Sequence, residues 1–200
     1  DNKLIKKYGL DPNKFYITYC GNIGHTQNMD LLLNVAKKIQ VELPDVCFIL
    51  IGEGAIKSDV DKRIRAEDIK NIILLPFQPY EDIAHVFSLG DVGLIISKPG
   101  IGSNSVPSKT WNIMAAERPI LASFDKNSEL SRLIDAANCG ICVDAGDDIA
   151  LENMIRSLRM NYDKKMGING NKYINEFLSK EKCVEIYVKT LEGIKRNSNK

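Results

Sequence analysis

The chain predicts a doubly wound α/β fold built on six parallel strands. Apolar runs of strand length alternate with helix-period segments throughout, and the first two runs close on Gly21 and Gly52. Alternation of this kind demands right-handed crossovers and a sheet covered by helices on both faces. Composition agrees: of 200 residues, 44% are hydrophobic and 26% charged, which suits one domain with a well-buried core.

The elements follow in order. Phe15 to Cys20 reads as the first strand. Asn28 to Glu42 reads as a helix with Asn28 as N-cap and Leu31, Leu32, Val35, Ala36 and Ile39 on one face. Val46 to Ile51 is the second strand, and a polar helix follows in which Ser58 and Asp61 have the spacing of a capping box. Ile72 to Leu75 is the third strand, Tyr80 to Leu89 a short helix, and Val92 to Ile96 the fourth strand. A loop with Gly100 and Gly102 leads to a helix starting near Pro107, whose missing N–H costs nothing at a first helical position. Pro119 to Ser123 and Gly140 to Val143 are the last strands, separated by a helix from Ser128 to Ala137. Helices near Asp147–Met160, Lys164–Phe177 and Lys180–Lys195 close the chain. Residues 1–14 read as a linker or helix remnant, 15–178 as the domain proper and 179–200 as a terminal helix.

Several functions are set aside at this level. The 27 basic and 26 acidic residues leave a formal charge of +1, so no broad field serves nucleic acid or anionic lipid. The longest apolar runs are too short to span a bilayer. Five cysteines, three in apolar runs, suit reduced thiols in the cytoplasm. Cys139 and Cys142 form C-x-x-C, but the pair runs into a strand rather than opening a helix, against a redox role, and no second pair or histidine cluster suggests zinc. Gly52-Glu53-Gly54 lacks the third glycine of a dinucleotide fingerprint, with Lys57 in its place. No acidic cluster follows the first strand and no Asp the third, against a receiver-type signalling domain. The chain opens on Asp1 without a leader pattern and reads as part of a longer protein, or equally on composition as a processed complete chain.

Ligands of doubly wound sheets bind outside the C-terminal strand ends, and every glycine-rich segment here falls at such an end. Gly21-Asn22-Ile23-Gly24-His25 follows the first strand; its glycines let backbone amides approach a ligand, or simply make the strand-to-helix turn. Gly52-Glu53-Gly54 follows the second strand, and Pro76-Phe77-Gln78-Pro79, which could frame a nucleobase or only turn the chain, follows the third. The segment Ser105 to Ala115 is the most informative. Free amides and the positive dipole end of its helix suit an anion, phosphate above all. Lys109 in the first turn opposes that dipole by a few tenths to about 1 kcal/mol, a cost that a bound anion reverses. Asn112 shares a face with Ser108 and Lys109. Of the two histidines, His25 is a candidate for phosphate or substrate, whereas His85 sits in an amphipathic helix as a surface or half-buried residue.

Together these motifs resemble the C-terminal, donor-binding half of family 4 glycosyltransferases of the GT-B fold, whose halves are Rossmann-like. The resemblance rests on Tyr19-Cys20-Gly21-Asn22-Ile23-Gly24, Ile51-Gly52-Glu53-Gly54, Leu75 to Pro79, Gly90 to Leu94, Val106-Pro107-Ser108-Lys109 and Arg118 to Ala122. It is strongest to bacterial enzymes of surface polysaccharide assembly, such as lipopolysaccharide or capsule. It implies a metal-independent transferase that retains anomeric configuration, uses no cofactor, and takes its sugar from a nucleoside diphosphate, UDP before GDP. Gly21, Asn22, Gly24, His25, Gln27, Val106, Pro107, Ser108 and Lys109 would surround the diphosphate, with Lys109 stabilising the leaving group. Gly52, Glu53, Gly54, Phe77 and Gln78 would frame the nucleoside, and Asn112 would hold the ribose.

Two departures and one omission qualify the match. Relatives commonly carry Arg where this chain has Asn22 and Lys where it has Gln27, although the surface-polysaccharide enzymes often share the Asn-x-Gly form. The acidic pair of the family falls at Asn104 and Asn112. The acceptor domain is absent, so the chain alone is expected to bind donor without transferring sugar. The whole enzyme is expected to be a cytoplasmic monomer, at the inner face of the membrane if associated with it. A non-catalytic module that kept the fold and lost the chemistry is the alternative.

Overall fold

The computed structural model describes residues 2–102 and 106–198. Its elements are α1 (Lys3–Tyr8), β1 (Phe15–Cys20), α2 (Met29–Glu42), β2 (Val46–Ile51), α3 (Lys57–Ala66), β3 (Ile72–Leu75), α4 (Ile83–Phe87), β4 (Val92–Ile96), α5 (Lys109–Ala115), β5 (Ile120–Ser123), α6 (Glu129–Ala137), β6 (Gly140–Val143), α7 (Asp148–Met160), α8 (Lys165–Phe177) and α9 (Lys180–Ser198). The strands form one parallel sheet in the order β3-β2-β1-β4-β5-β6, so the chain reverses direction across the sheet between β1 and β4. That reversal opens the crevice where such folds take ligands.

Strand alternation sorts the two faces. Ile17, Tyr19, Phe48 and Leu50 pack with Leu32, Val35 and Ile39 of α2 and Leu151 and Ile155 of α7. Tyr16, Cys47, Ile49 and Ile51 face the other way, onto Leu4 of α1 and Val86 of α4. Side-chain caps hold the helices that cover them: Asn28, the cap the sequence predicts, and Ser128 and Asp147 each accept an amide from the first turn of α2, α6 and α7. Residues before β1 are tied in as well. Leu4 is fully buried, and Asn2 caps α1 while its amide donates to His85 O at 2.6 Å.

Three local expectations are corrected. Ser58 and Asp61 form no capping box. The helix begins at Lys57, whose amide reaches back to Gly54 O at 3.2 Å, so Ser58 is already inside it. The helix expected at Pro107 starts two residues later, because Pro107 supplies the carbonyl that takes the Thr110 amide at 2.9 Å. The segment after Pro79 opens as a 3₁₀ turn, Tyr80–Asp82, before α4.

Close packing seats the helix that carries the site. A Cβ on Gly93 of β4 would lie 2.5 Å from Ile113 Cγ2, so α5 rests directly on the strand. From behind, α8 approaches so closely that a Cβ on Gly167 would lie 2.0 Å from Glu117 O. The α9 side chains through Ile194 are exposed. Gly167→Ala should therefore lower unfolding free energy by about 1–3 kcal/mol in urea denaturation. Gly193→Ala, with nothing within 4 Å of the new methyl, should be neutral or slightly stabilising. Equal effects of the two would contradict this packing.

Candidate functional site

Two glycine loops extend the ladder past the sheet. Gly21 N donates to Ile51 O at 3.0 Å, Ile23 N to Glu53 O at 2.8 Å, and Ile56 N to Ile23 O at 3.2 Å. A Cβ on Gly52 would lie 1.9 Å from Gly21 O, and one on Gly54 2.2 Å from Ile23 O. These two glycines let the loops touch each other.

Lys109 opens α5 and folds back over β1. Its Nζ stands 3.8 Å from the centroid of the Tyr19 ring. Gly21, at φ +144°, leaves room for it: a Cβ there would meet Nζ at 2.8 Å. Among the described residues no carboxylate balances the ammonium, and burial pushes its pKa down to about 8, with the Cys20 thiol acting in the opposite sense. The Tyr19 hydroxyl, driven upward by burial, donates to Asn22 O at 2.5 Å. Burial likewise raises the Cys20 thiol, against the lowering effect of Lys109.

A cavity of about 340 Å³ opens beside the amine. Gly21, Ser108, Lys109 and Asn112 line one side, and Phe77, Tyr80 and Ile83, all substantially exposed, the other. The remaining sequence candidates are placed differently. Gln27 Oε1 accepts the Gly24 amide at 3.1 Å, so it braces its own loop, while Asn22 is exposed. The Glu53 carboxylate pairs with Lys57 at 2.6 Å. Gln78 is buried, and its side chain is engaged by Tyr8, Lys7 and Pro76 O. His25 is exposed and borders a separate hollow of about 190 Å³ with Asp30, Arg63 and Lys98. Val106 and Pro107 are half-buried where the chain approaches α5. Asn104 and Ser105 lie outside the described residues. Tyr19, Cys20, Tyr80 and Ile83 carried no assigned role in the sequence; the signal for the first was a tyrosine facing the end of a buried strand one residue before a glycine loop.

This sheet, crevice and cavity define a doubly wound α/β domain with a ligand-sized cavity at its topological switch point. Residues 1–173 match the model of the glycosyl transferases group 1 family, and the chain belongs to that family. It is 25% identical over 191 residues to the putative colanic acid biosynthesis glycosyl transferase WcaI of Escherichia coli K12, covering 95% of this chain and 46% of that protein. It is 29% identical over 137 residues to the probable glycosyltransferase WbjE of Pseudomonas aeruginosa, covering 68% and 34%. The chain thus spans less than half the length of these relatives. Among solved structures, Anabaena Alr3699/HepE in complex with UDP superposes with a TM-score of 0.80 at 16% identity, over 96% of this chain and 52% of that one. The C-terminal domain of a Francisella tularensis glycosyl transferase group 1 family protein, LpcC, does so with a TM-score of 0.68 at 18% identity, over 88% and 92%. Among the described residues, no helix is long and apolar enough to cross a membrane.

The unbalanced ammonium has a thermodynamic signature. Below pH 8 Lys109 is charged both folded and unfolded, and the native state bears the full burial cost. Between pH 8 and about 10.5 the unfolded chain keeps a proton that the native state releases, so this residue's contribution to stability rises with pH. Lys109→Met should be more stable than the parent at pH 7 by about 1–3 kcal/mol. That gap should close as pH climbs through the window. Taking the difference cancels the opposite trend of the buried thiols Cys47 and Cys139, whose raised pKa values cost native stability at alkaline pH. A gap independent of pH in denaturant titrations would contradict the assignment.

Proposed function

We propose that this chain is the donor-binding half of a retaining, metal-independent glycosyltransferase that moves a sugar from a nucleoside diphosphate, UDP first, to a glycan or lipid-linked acceptor. The observation that carries the reading is the Lys109 ammonium, unmatched by any carboxylate among the described residues and lining a cavity at the sheet's C-terminal edge. An anion there would return to the amine the stabilisation that burial removes. Family membership and the UDP complex of a structural neighbour support a nucleoside diphosphate as that anion.

In this reading the exposed rings of Phe77 and Tyr80 offer an apolar face to the base, and the Asn112 amide serves the ribose hydroxyls. The Gly21 loop and the start of α5 flank the diphosphate. As the bond between the anomeric carbon and the diphosphate oxygen breaks, negative charge grows on the leaving group. Lys109 stabilises that charge in place of a metal ion. No cofactor takes part. The acceptor lies on an N-terminal domain of the longer protein, which works as a monomer in the cytoplasm or at the inner membrane face. The five free thiols suit that reducing compartment. A non-catalytic binding module is the second reading, favoured by the uncharged Asn22 and the loop-bound Gln27. Sugar transfer by the longer protein would exclude it.

Calorimetric titration with UDP, GDP, ADP and CMP should find one preferred nucleotide, UDP. Lys109→Ala should bind it at least tenfold more weakly, a loss of about 1.4 kcal/mol or more. The isolated chain should release no sugar to an acceptor. Equal affinity in parent and variant would remove Lys109 from the donor site.

A further inference from the structure

We infer that Tyr19 is the positioning residue of the donor site: its ring holds the Lys109 amine in place and in its charged form, and its hydroxyl fastens the first glycine loop beside it. This rests on the donor-site reading above. Two contacts of one buried side chain support it. The ring lies under Lys109 Nζ at 3.8 Å from its centroid, where the negative π face attracts a cation. The hydroxyl donates to Asn22 O at 2.5 Å, fixing the loop between Gly21 and Gly24. Tyr19 is 0% exposed, so its ring cannot swing away. One residue therefore ties together the two elements, the β1 loop and the first turn of α5, between which a diphosphate would sit.

Among the described residues no other group does this work for the amine. The titratable groups around it are the Tyr19 hydroxyl and Cys20 thiol of β1 and the Tyr80 hydroxyl across the cavity; α4 contributes only Ile83, Val86 and Phe87 to the wall. The Cys20 thiol is raised by burial and stays neutral where Lys109 is charged. The ring quadrupole is the stabilising field that remains. It opposes a desolvation that already holds the amine near pH 8, close enough to neutrality for the ring to decide its charge.

The test follows Lys109 by NMR of ε-¹³C-lysine in the ligand-free chain, assigned with Lys109→Arg, alongside the pH profile of UDP binding. In the parent, both midpoints should fall near pH 8. Tyr19→Phe keeps the ring and loses the hydroxyl. Its midpoints should stay in place while UDP affinity drops a few-fold at every pH. Tyr19→Leu removes the ring, and both midpoints should fall by about one pH unit. Replacing Tyr19 by pentafluorophenylalanine, which keeps the ring's shape and inverts its quadrupole, should lower them at least as far and guards against misfolding of the leucine variant. A uniform loss of affinity with the Lys109 midpoint unmoved in both ring variants would reduce Tyr19 to a packing residue and overturn the inference. The ligand-free titration reads Tyr19 whether or not UDP binds, so failure of the donor reading and failure of this one are separable.

Discussion

The arrangement depends on one electrostatic imbalance: a half-buried lysine amine rests on an aromatic face with no acid among the described residues to receive it. Buried charges are ordinarily paired, and an unpaired one loses its proton or acquires a partner. Cations nearer the surface find acids. Lys38 bridges Asp148 and Glu152, and Arg156 bridges Glu42 and Glu152, stitching α2 to α7. Lys109 has no such acid among the described residues, and it stands where sheet topology opens a crevice.

The surrounding fold reads as a frame for that departure. Gly93 lets α5 sit flush on β4, and Gly167 lets α8 press on the turn after α5, which fixes the height of the amine above the strand ends. Gly21 supplies the space the amine occupies, while Gly52 and Gly54 bring the second loop against the first. On the far side of the cavity, Gln78 is clamped by Tyr8 and Lys7 of α1, so residues before the first strand help position the wall that carries Phe77.

Much of this was legible in the sequence, for definite physical reasons. Strand and helix periods differ enough that all six strands were recognisable, and caps such as Asn28 and Ser128 announce themselves by residue type. The Ser58 box failed because the same residue pattern can lie inside a helix whose first turn is closed by backbone, here Gly54 O. Glu53 and Gln27 sit on the two glycine loops, and their side chains are taken by Lys57 and the Gly24 amide. Gly52 and Gly54 were read as ligand-facing, whereas their missing side chains admit the neighbouring loop. Tyr19 was legible as core and illegible as a platform, because sequence periodicity reports which face a side chain takes and not which charge comes to rest on it.

The most direct test of the central claim is a crystal structure of the chain with UDP bound. A phosphate oxygen should lie within about 3 Å of Lys109 Nζ, with the base against Phe77 and Tyr80. A nucleotide lodged elsewhere, or one in the cavity whose phosphates leave the amine on its ring without a partner, would contradict it.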